Sequence, residues 1–144
     1  MGAVIIRNLA EVLKGLEVQE GKVEQAAQIA IATAGFAIER QAKINANTGT
    51  HSKKTGHIPG TGPGPNVVTG TLRRSIRTDV RRGFGTYIAV VGASTEYARA
   101  VELGSKRWKS GVKYPYLAPA AIELIMNGSL NRIFTAAFTK AVKG

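Results

Sequence analysis

The 144-residue sequence contains no cysteine. That excludes a disulfide framework, thiolate zinc sites and cysteine nucleophiles, and it leaves the compartment open. Acid is scarce too: nine Asp and Glu stand against twenty Lys and Arg, a formal net charge of +11. A field of that sign draws polyanions, DNA foremost, or an acidic protein neighbour. Four Tyr, four Phe and one Trp are a thin supply for the stacking platforms of a single-strand binder. No apolar run approaches the ~18 residues of a membrane span. The run Ala3-Val4-Ile5-Ile6 is too short for a signal-peptide core, so the expectation is a soluble protein made in the cytoplasm.

Catalytic patterns are missing as well. The only histidines, His51 and His57, lie six apart in a glycine-rich stretch, which matches no metal-ligand spacing. The acids sit mostly on expected helix surfaces beside Lys or Arg, with no pair placed as an acid/base dyad. No serine has the G-x-S-x-G setting of a hydrolase. The glycine-rich run from Gly60 to Pro65 fails as a phosphate cradle: no Lys-Ser/Thr pair follows it, and its prolines remove amides that a phosphate would need. The sequence thus predicts no enzyme, no cofactor and no metal.

What is present is enough for a core. Hydrophobic residues make up 44% of the chain, and a domain of this size buries roughly two-thirds of its unfolded surface; a single domain over 1–144 is expected. Val4-Ile5-Ile6 reads as a short strand, followed by a turn of helix over Glu11–Leu16 with Asn8 as cap. The strongest helix signal runs from Glu20 to Ala46. Val23, Ala27, Ala30, Ala34, Ala37 and Ile44 recur at three- and four-residue steps, with Ile31 and Ile38 on the flank. Glu20 and Glu24 open it and Arg40 and Lys43 close it, in keeping with the helix dipole. Gly35 costs roughly 1 kcal/mol against alanine and is expected to mark a tight crossing.

Residues 47–68 hold five glycines and three prolines with no apolar periodicity, and they carry Lys53, Lys54 and both histidines without an acid. A stretch of this length without structure of its own is functional or disordered; the expectation is a mobile arm that orders on assembly. Thr69 or Thr71 is expected to cap a short helical turn in which Leu72 and Ile76 pair. Ile76, Thr78 and Val80 alternate with Arg77, Asp79 and Arg81, a period-two strand. The turn Arg82-Gly83-Phe84-Gly85 leads to a second strand, Thr86–Val91. Ser94-Thr95 are expected to cap a helix over Glu96–Leu103 that Gly104 ends, with Tyr97, Val101 and Leu103 under the sheet. A second basic loop, 105–113, contains Lys106 and Arg107. A last helix from Pro119 to Val142, apolar through Leu124, Ile125, Ile133, Phe134, Ala137 and Phe138, is expected to kink or split at Asn127-Gly128-Ser129. The fold class is α+β: a long helix and a C-terminal helix packed on a small antiparallel sheet, with the long Gly/Pro-rich basic loop between.

Three runs stand in order: TGTLRRSI at 69–76, YARAVELGS at 97–105 and PYLAPA at 115–120. Together with the layout of the N-terminal half, they resemble the tail-completion or neck proteins of siphophages, at the head–tail joint. The resemblance implies a non-catalytic virion protein that forms a homo-oligomeric ring, a hexamer by analogy. Such a ring would connect the portal/adaptor side to the tail tube around the DNA channel, with other neck proteins as partners. The long Gly/Pro loop is a departure from many relatives. A DNA channel calls for sequence-blind phosphate contacts. Lys53, Lys54, Arg73, Arg74, Arg77, Arg81, Arg82, Lys106 and Arg107 are the candidates for that basic surface or for contact with a neighbouring ring. Glu102, beside Gly104 and the 105–113 loop, is a candidate for an ion pair with Arg73, Arg74 or Lys106 in the same or the next copy. Two other readings stay open: a basic nucleic-acid-binding protein without catalysis, and a tail terminator ring.

Overall fold

The computed structural model describes residues 2–6, 20–47, 51–52, 56–57, 70–83, 85–106 and 113–144. The order of elements is β1 (Gly2–Ile6), α1 (Glu20–Asn45), β2 (His51–Ser52), β3 (Gly56–His57), α2 (Thr71–Ser75), β4 (Ile76–Gly83), β5 (Thr86–Ala93), α3 (Ala98–Leu103), α4 (Leu117–Met126) and α5 (Ser129–Lys143). The expected helix over Glu11–Leu16 lies outside the described residues. Within the Gly/Pro-rich stretch, His51–Ser52 runs antiparallel to Gly56–His57, with the two histidines opposite each other in register.

The main sheet has three strands in the order β1-β5-β4, antiparallel throughout. It packs on α1, and α1 is the centre of the fold. Its 26 residues span about 39 Å at 1.5 Å per residue. Here the architecture departs from expectation. The C-terminal segment packs on α1 rather than on the sheet, so α1 is sandwiched between β4–β5 on one side and α4–α5 on the other. The reason lies in its small residues. Ala26, Ala27, Ala30, Ala34 and Ala42 are all buried and let partners approach from two directions.

Gly35 makes the crossing with the sheet possible. A Cβ there would stand 2.6 Å from Thr78 Cγ2 and 3.0 Å from the Ala89 Cβ, closer than packed carbons tolerate. The apolar stripe, however, is rotated from its expected centre. Ile31 and Ile38, placed on the flank by the periodicity, are fully buried, whereas Ile44 is half exposed. The core then joins Ile38 and Ala42 to Ile76, Val91, Tyr116, Leu117, Ala120 and Leu130.

The C-terminal helix does split, and Ser129 is the first residue of its second segment rather than the cap. Gly128 adopts a left-handed conformation (φ 71°) as N-cap, and Asn127 Oδ1 accepts the Ser129 N–H at 2.8 Å. Likewise, Gly70 at φ 75° precedes α2 and supplies no side-chain cap. Helix α3 starts at Ala98 with Tyr97 as a cap that makes no side-chain bond, and the Thr95 hydroxyl is buried without a partner. Of the residues expected beneath the sheet, only Val101 packs against the core; Tyr97 and Leu103 are exposed.

Candidate assembly and nucleic-acid interface

Among the described residues, the sequence-predicted basic side chains leave α2 and β4 in more than one direction. Arg73 and Arg74 are exposed on the last turn of α2. Strand β4 continues directly from it and alternates. Ile76 is buried, Thr78 and Val80 are half-buried, and Arg77, Asp79 and Arg81 are exposed. Because Thr78 meets α1, the side chains of Arg77 and Arg81 leave the strand on the opposite face. Arg81 Nε donates to Asp79 Oδ2 at 2.6 Å, which offsets part of that charge. Arg82 belongs elsewhere. Its Nη2 bridges both Glu24 carboxylate oxygens at 3.0 and 3.1 Å, and its guanidinium lies 5.9 Å from the centroid of the Tyr87 ring. It ties the sheet to the first turns of α1. Lys106 is exposed. Lys53, Lys54 and Arg107 lie outside the described residues.

Glu102 has a role that the sequence did not disclose. It is 9% exposed. Its Oε2 accepts the backbone N–H groups of Tyr116 and Leu117 at 2.8 and 3.0 Å, and its Oε1 accepts that of Ala118 at 2.8 Å. These are amides of the first turn of α4, which have no partner within their own helix. A carboxylate there also meets the positive end of the helix dipole. Within the chain, then, Glu102 is the cap of α4, supplied from α3. The expected ion pair with Arg73, Arg74 or Lys106 is not among those of the described residues, which are Lys43–Glu39, Arg81–Asp79 and Arg82–Glu24. The contact explains why YARAVELGS and PYLAPA occur together: Tyr114 N–H donates to the Val101 carbonyl at 2.8 Å, and Glu102 seats the helix that follows. Asn45 Nδ2 completes the junction by donating to the Tyr116 carbonyl at 3.1 Å. The Tyr116 phenol is pushed up to about 12 by burial first, then by the neighbouring Glu102 charge and Tyr97.

A second buried-edge carboxylate joins α1 to β4. Glu39 Oε2 accepts the Thr78 hydroxyl at 2.8 Å, and Oε1 accepts the Lys43 ammonium. Burial pushes this carboxyl up, but the bonds from Lys43 and Thr78 and the Lys43 charge outweigh it, so it sits below the ordinary glutamate value.

Two features are not announced by the sequence. Helix α5 carries Arg132, Lys140 and Lys143 and no acid. All three border one shallow depression with Thr135 and Thr139. Their recurrence at helical spacing is visible in the sequence, but the apolar side of the same helix is the stronger pattern. The second is apolar: Ile29, Phe36 and Ile44 on α1, and Ile122, Ile125 and Met126 on α4, are exposed. Nothing in a periodicity distinguishes a large residue that faces a core from one that faces a partner.

The family model described as "Bacteriophage HK97-gp10, putative tail-component" matches residues 10–104, well over half of the chain. The chain belongs to the HK97-gp10-like family. It is therefore a bacteriophage tail component of a structural family, a part of the virion in contact with other virion proteins, and it fits the siphophage tail-completion and neck proteins. The matched stretch takes in α1, the β4–β5 hairpin and α3, with TGTLRRSI and all of YARAVELGS except Ser105; PYLAPA and helices α4 and α5 lie beyond it. Among curated proteins and among solved structures, none matches the chain. No helix of the described residues is long and apolar enough to cross a membrane, and no group of three or more His, Cys, Asp or Glu among them could hold a metal ion.

Proposed function

We propose that this HK97-gp10-like protein acts as a single domain, without catalysis, in a closed homo-oligomeric ring at the head–tail joint. The ring connects the portal/adaptor side to the tail tube around the DNA channel, and six copies match the symmetry usual for tail tubes. The observation that carries this reading is the family membership of residues 10–104, and the net charge of +11 supports it. A ring that passes DNA needs positive charge without base-reading elements. Arg73, Arg74, Arg77 and Arg81, exposed on consecutive elements, supply it together with Lys106, and we extend the same role to Lys53, Lys54 and Arg107. Arg82 serves the fold first, through Glu24.

Native mass spectrometry and electron microscopy of the purified protein, alone and with duplex DNA across a salt series, test this. The expected result is a closed ring that binds DNA weakly and without sequence preference. Replacing Arg77 and Arg81 with alanine should lower the salt dependence of binding by about one unit of log–log slope for each phosphate that is no longer neutralised. Tight binding of a monomer or dimer to a defined nucleic acid at physiological salt would instead favour a free nucleic-acid-binding protein. Cross-linking to the tail-tube end alone, with no portal-side contact, would favour a tail terminator.

A further inference from the structure

The two exposed apolar patches sit on different elements and differ in charge. On the outer face of α1, Phe36 (56% exposed) and Ile44 line a groove of about 470 Å³ together with Arg40, Lys43 and Arg73 and one acid, Glu39, which is paired with Lys43 and leaves Arg40 and Arg73 as the groove's excess charge. On α4, Ile122, Ile125 and Met126 stand at i, i+3 and i+4, hence on one face, and Met126 is 81% exposed. Glu123 lies next to them on the same helix. Among the described residues, Glu24, Glu39 and Asp79 are each in an ion pair and Glu102 caps α4; Glu96 and Glu123 are exposed and in none of these ion pairs, and of the two only Glu123 adjoins the apolar ridge on α4. An acid-flanked apolar ridge and a base-rimmed apolar groove are therefore presented by the same chain.

We infer that the α4 ridge of one copy seats in the α1 groove of the next, with Met126 and Ile125 against Phe36 and Ile44, and Glu123 facing Arg40 and Arg73. This rests on the ring reading above and specifies its interface. The occupant is a second copy because the chain supplies both halves with matched charge. Unlike patches joined head to tail consume both surfaces in every copy, and such a heterologous contact closes into a ring when its rotation divides the circle. An isologous pairing of either patch would leave the other exposed and would set like charges together. Apolar burial provides the attraction, on the order of 25 cal/mol per Å², and the charges fix register.

The test uses two variants at exposed positions, each carrying the charge that opposes its partner: Phe36→Glu meets Glu123, and Met126→Arg meets Arg40 and Arg73. Each alone should run as a folded monomer in native mass measurements, with self-association at least about 30-fold weaker, the scale of an interface hot spot. Mixed together, they should form dimers and nothing larger. A Met126→Arg copy keeps an intact groove, a Phe36→Glu copy keeps an intact ridge, and one productive contact is all the pair can make. A third check is Glu123→Arg, which should weaken assembly and regain it when combined with Arg73→Glu. If the wild type forms rings that both single variants preserve, this interface is overturned and the ring reading stands. If the mixture stays monomeric, the pairing is not head to tail and the inference is likewise overturned. A wild type that forms open filaments broken by both variants would uphold the interface and overturn the ring. Circular dichroism melts matching the wild type would exclude misfolding as the cause.

Discussion

Removing the Glu102 carboxylate should be among the most damaging single changes outside the apolar core. In Glu102→Ala, the amides of Tyr116, Leu117 and Ala118 lose their acceptor together. Losing a helix cap costs about 1 kcal/mol, and up to about 2. Here the bonds are charge-assisted, the carboxylate is 9% exposed, and an amide left unsatisfied in a buried place costs about 1–3 kcal/mol. Water can reach Ala118, which is only part-buried, so the sum is nearer two orphaned amides than three, about 3 kcal/mol. Glu102→Gln separates the contributions. Its carbonyl can replace Oε2 toward Tyr116 and Leu117, but its amide nitrogen then points a donor at the Ala118 N–H; the expected loss is about 1–2 kcal/mol. Urea unfolding at fixed protein concentration reads both, as a fall in the midpoint at unchanged slope. Because Asn45, Tyr116 and Leu117 meet at this junction, the loss should spread to α4 and its packing on α1. A Glu102→Ala protein within about 0.5 kcal/mol of the wild type, the range of ordinary surface changes, would refute the cap as a stabilising element.

Three further outcomes are expected. In Gly35→Ala, overpacking against Thr78 and Ala89 should cost about 1–3 kcal/mol against the roughly 1 kcal/mol of helix propensity gained, a net destabilisation of up to about 2 kcal/mol. Adding Thr78→Ser, which removes Cγ2 and keeps the hydroxyl for Glu39, should recover part of it in thermal melts, whereas a stabilised Gly35→Ala would contradict the close crossing. The carboxyl of Glu39 is lowered on folding, so its stabilisation is complete above the ordinary glutamate value and is lost as the pH falls through the lower folded value; Glu39→Gln should lessen the acid sensitivity of the unfolding midpoint, and an unchanged acid limb would count against the Thr78–Glu39–Lys43 cluster. The Tyr116 phenol, raised from 10.0 to about 12, stabilises the fold below its unfolded value and loses that contribution as the pH rises toward 12; in Tyr116→Phe the alkaline fall in stability should shrink and the last-titrating phenolate absorbance should vanish.

The sequence by itself determined the local elements. Alanine spacing and end charges delimited α1 to within one residue of its observed end, alternation marked β4, and Asn127-Gly128 marked the break between α4 and α5. It also determined the absence of cysteine and the surplus of positive charge, and its three ordered motifs pointed to the phage tail family to which the chain belongs. These features are legible because they depend on neighbours three or four residues apart. What only the tertiary structure decided is sidedness. The α1 stripe centres on Ile31 and Ile38 and leaves Ile44 outside, because the sheet crosses at Gly35 and the C-terminal helices claim the opposite alanines. Charge was legible as a total and not as a surface: Arg82 goes to Glu24 and Arg81 to Asp79. Glu102 is a natural candidate for an ion pair by its place in the sequence, yet its carboxylate finds three backbone amides that come into range only when PYLAPA folds back against α3. A buried carboxylate takes the partners that replace its lost water, and those partners are chosen by where the chain returns.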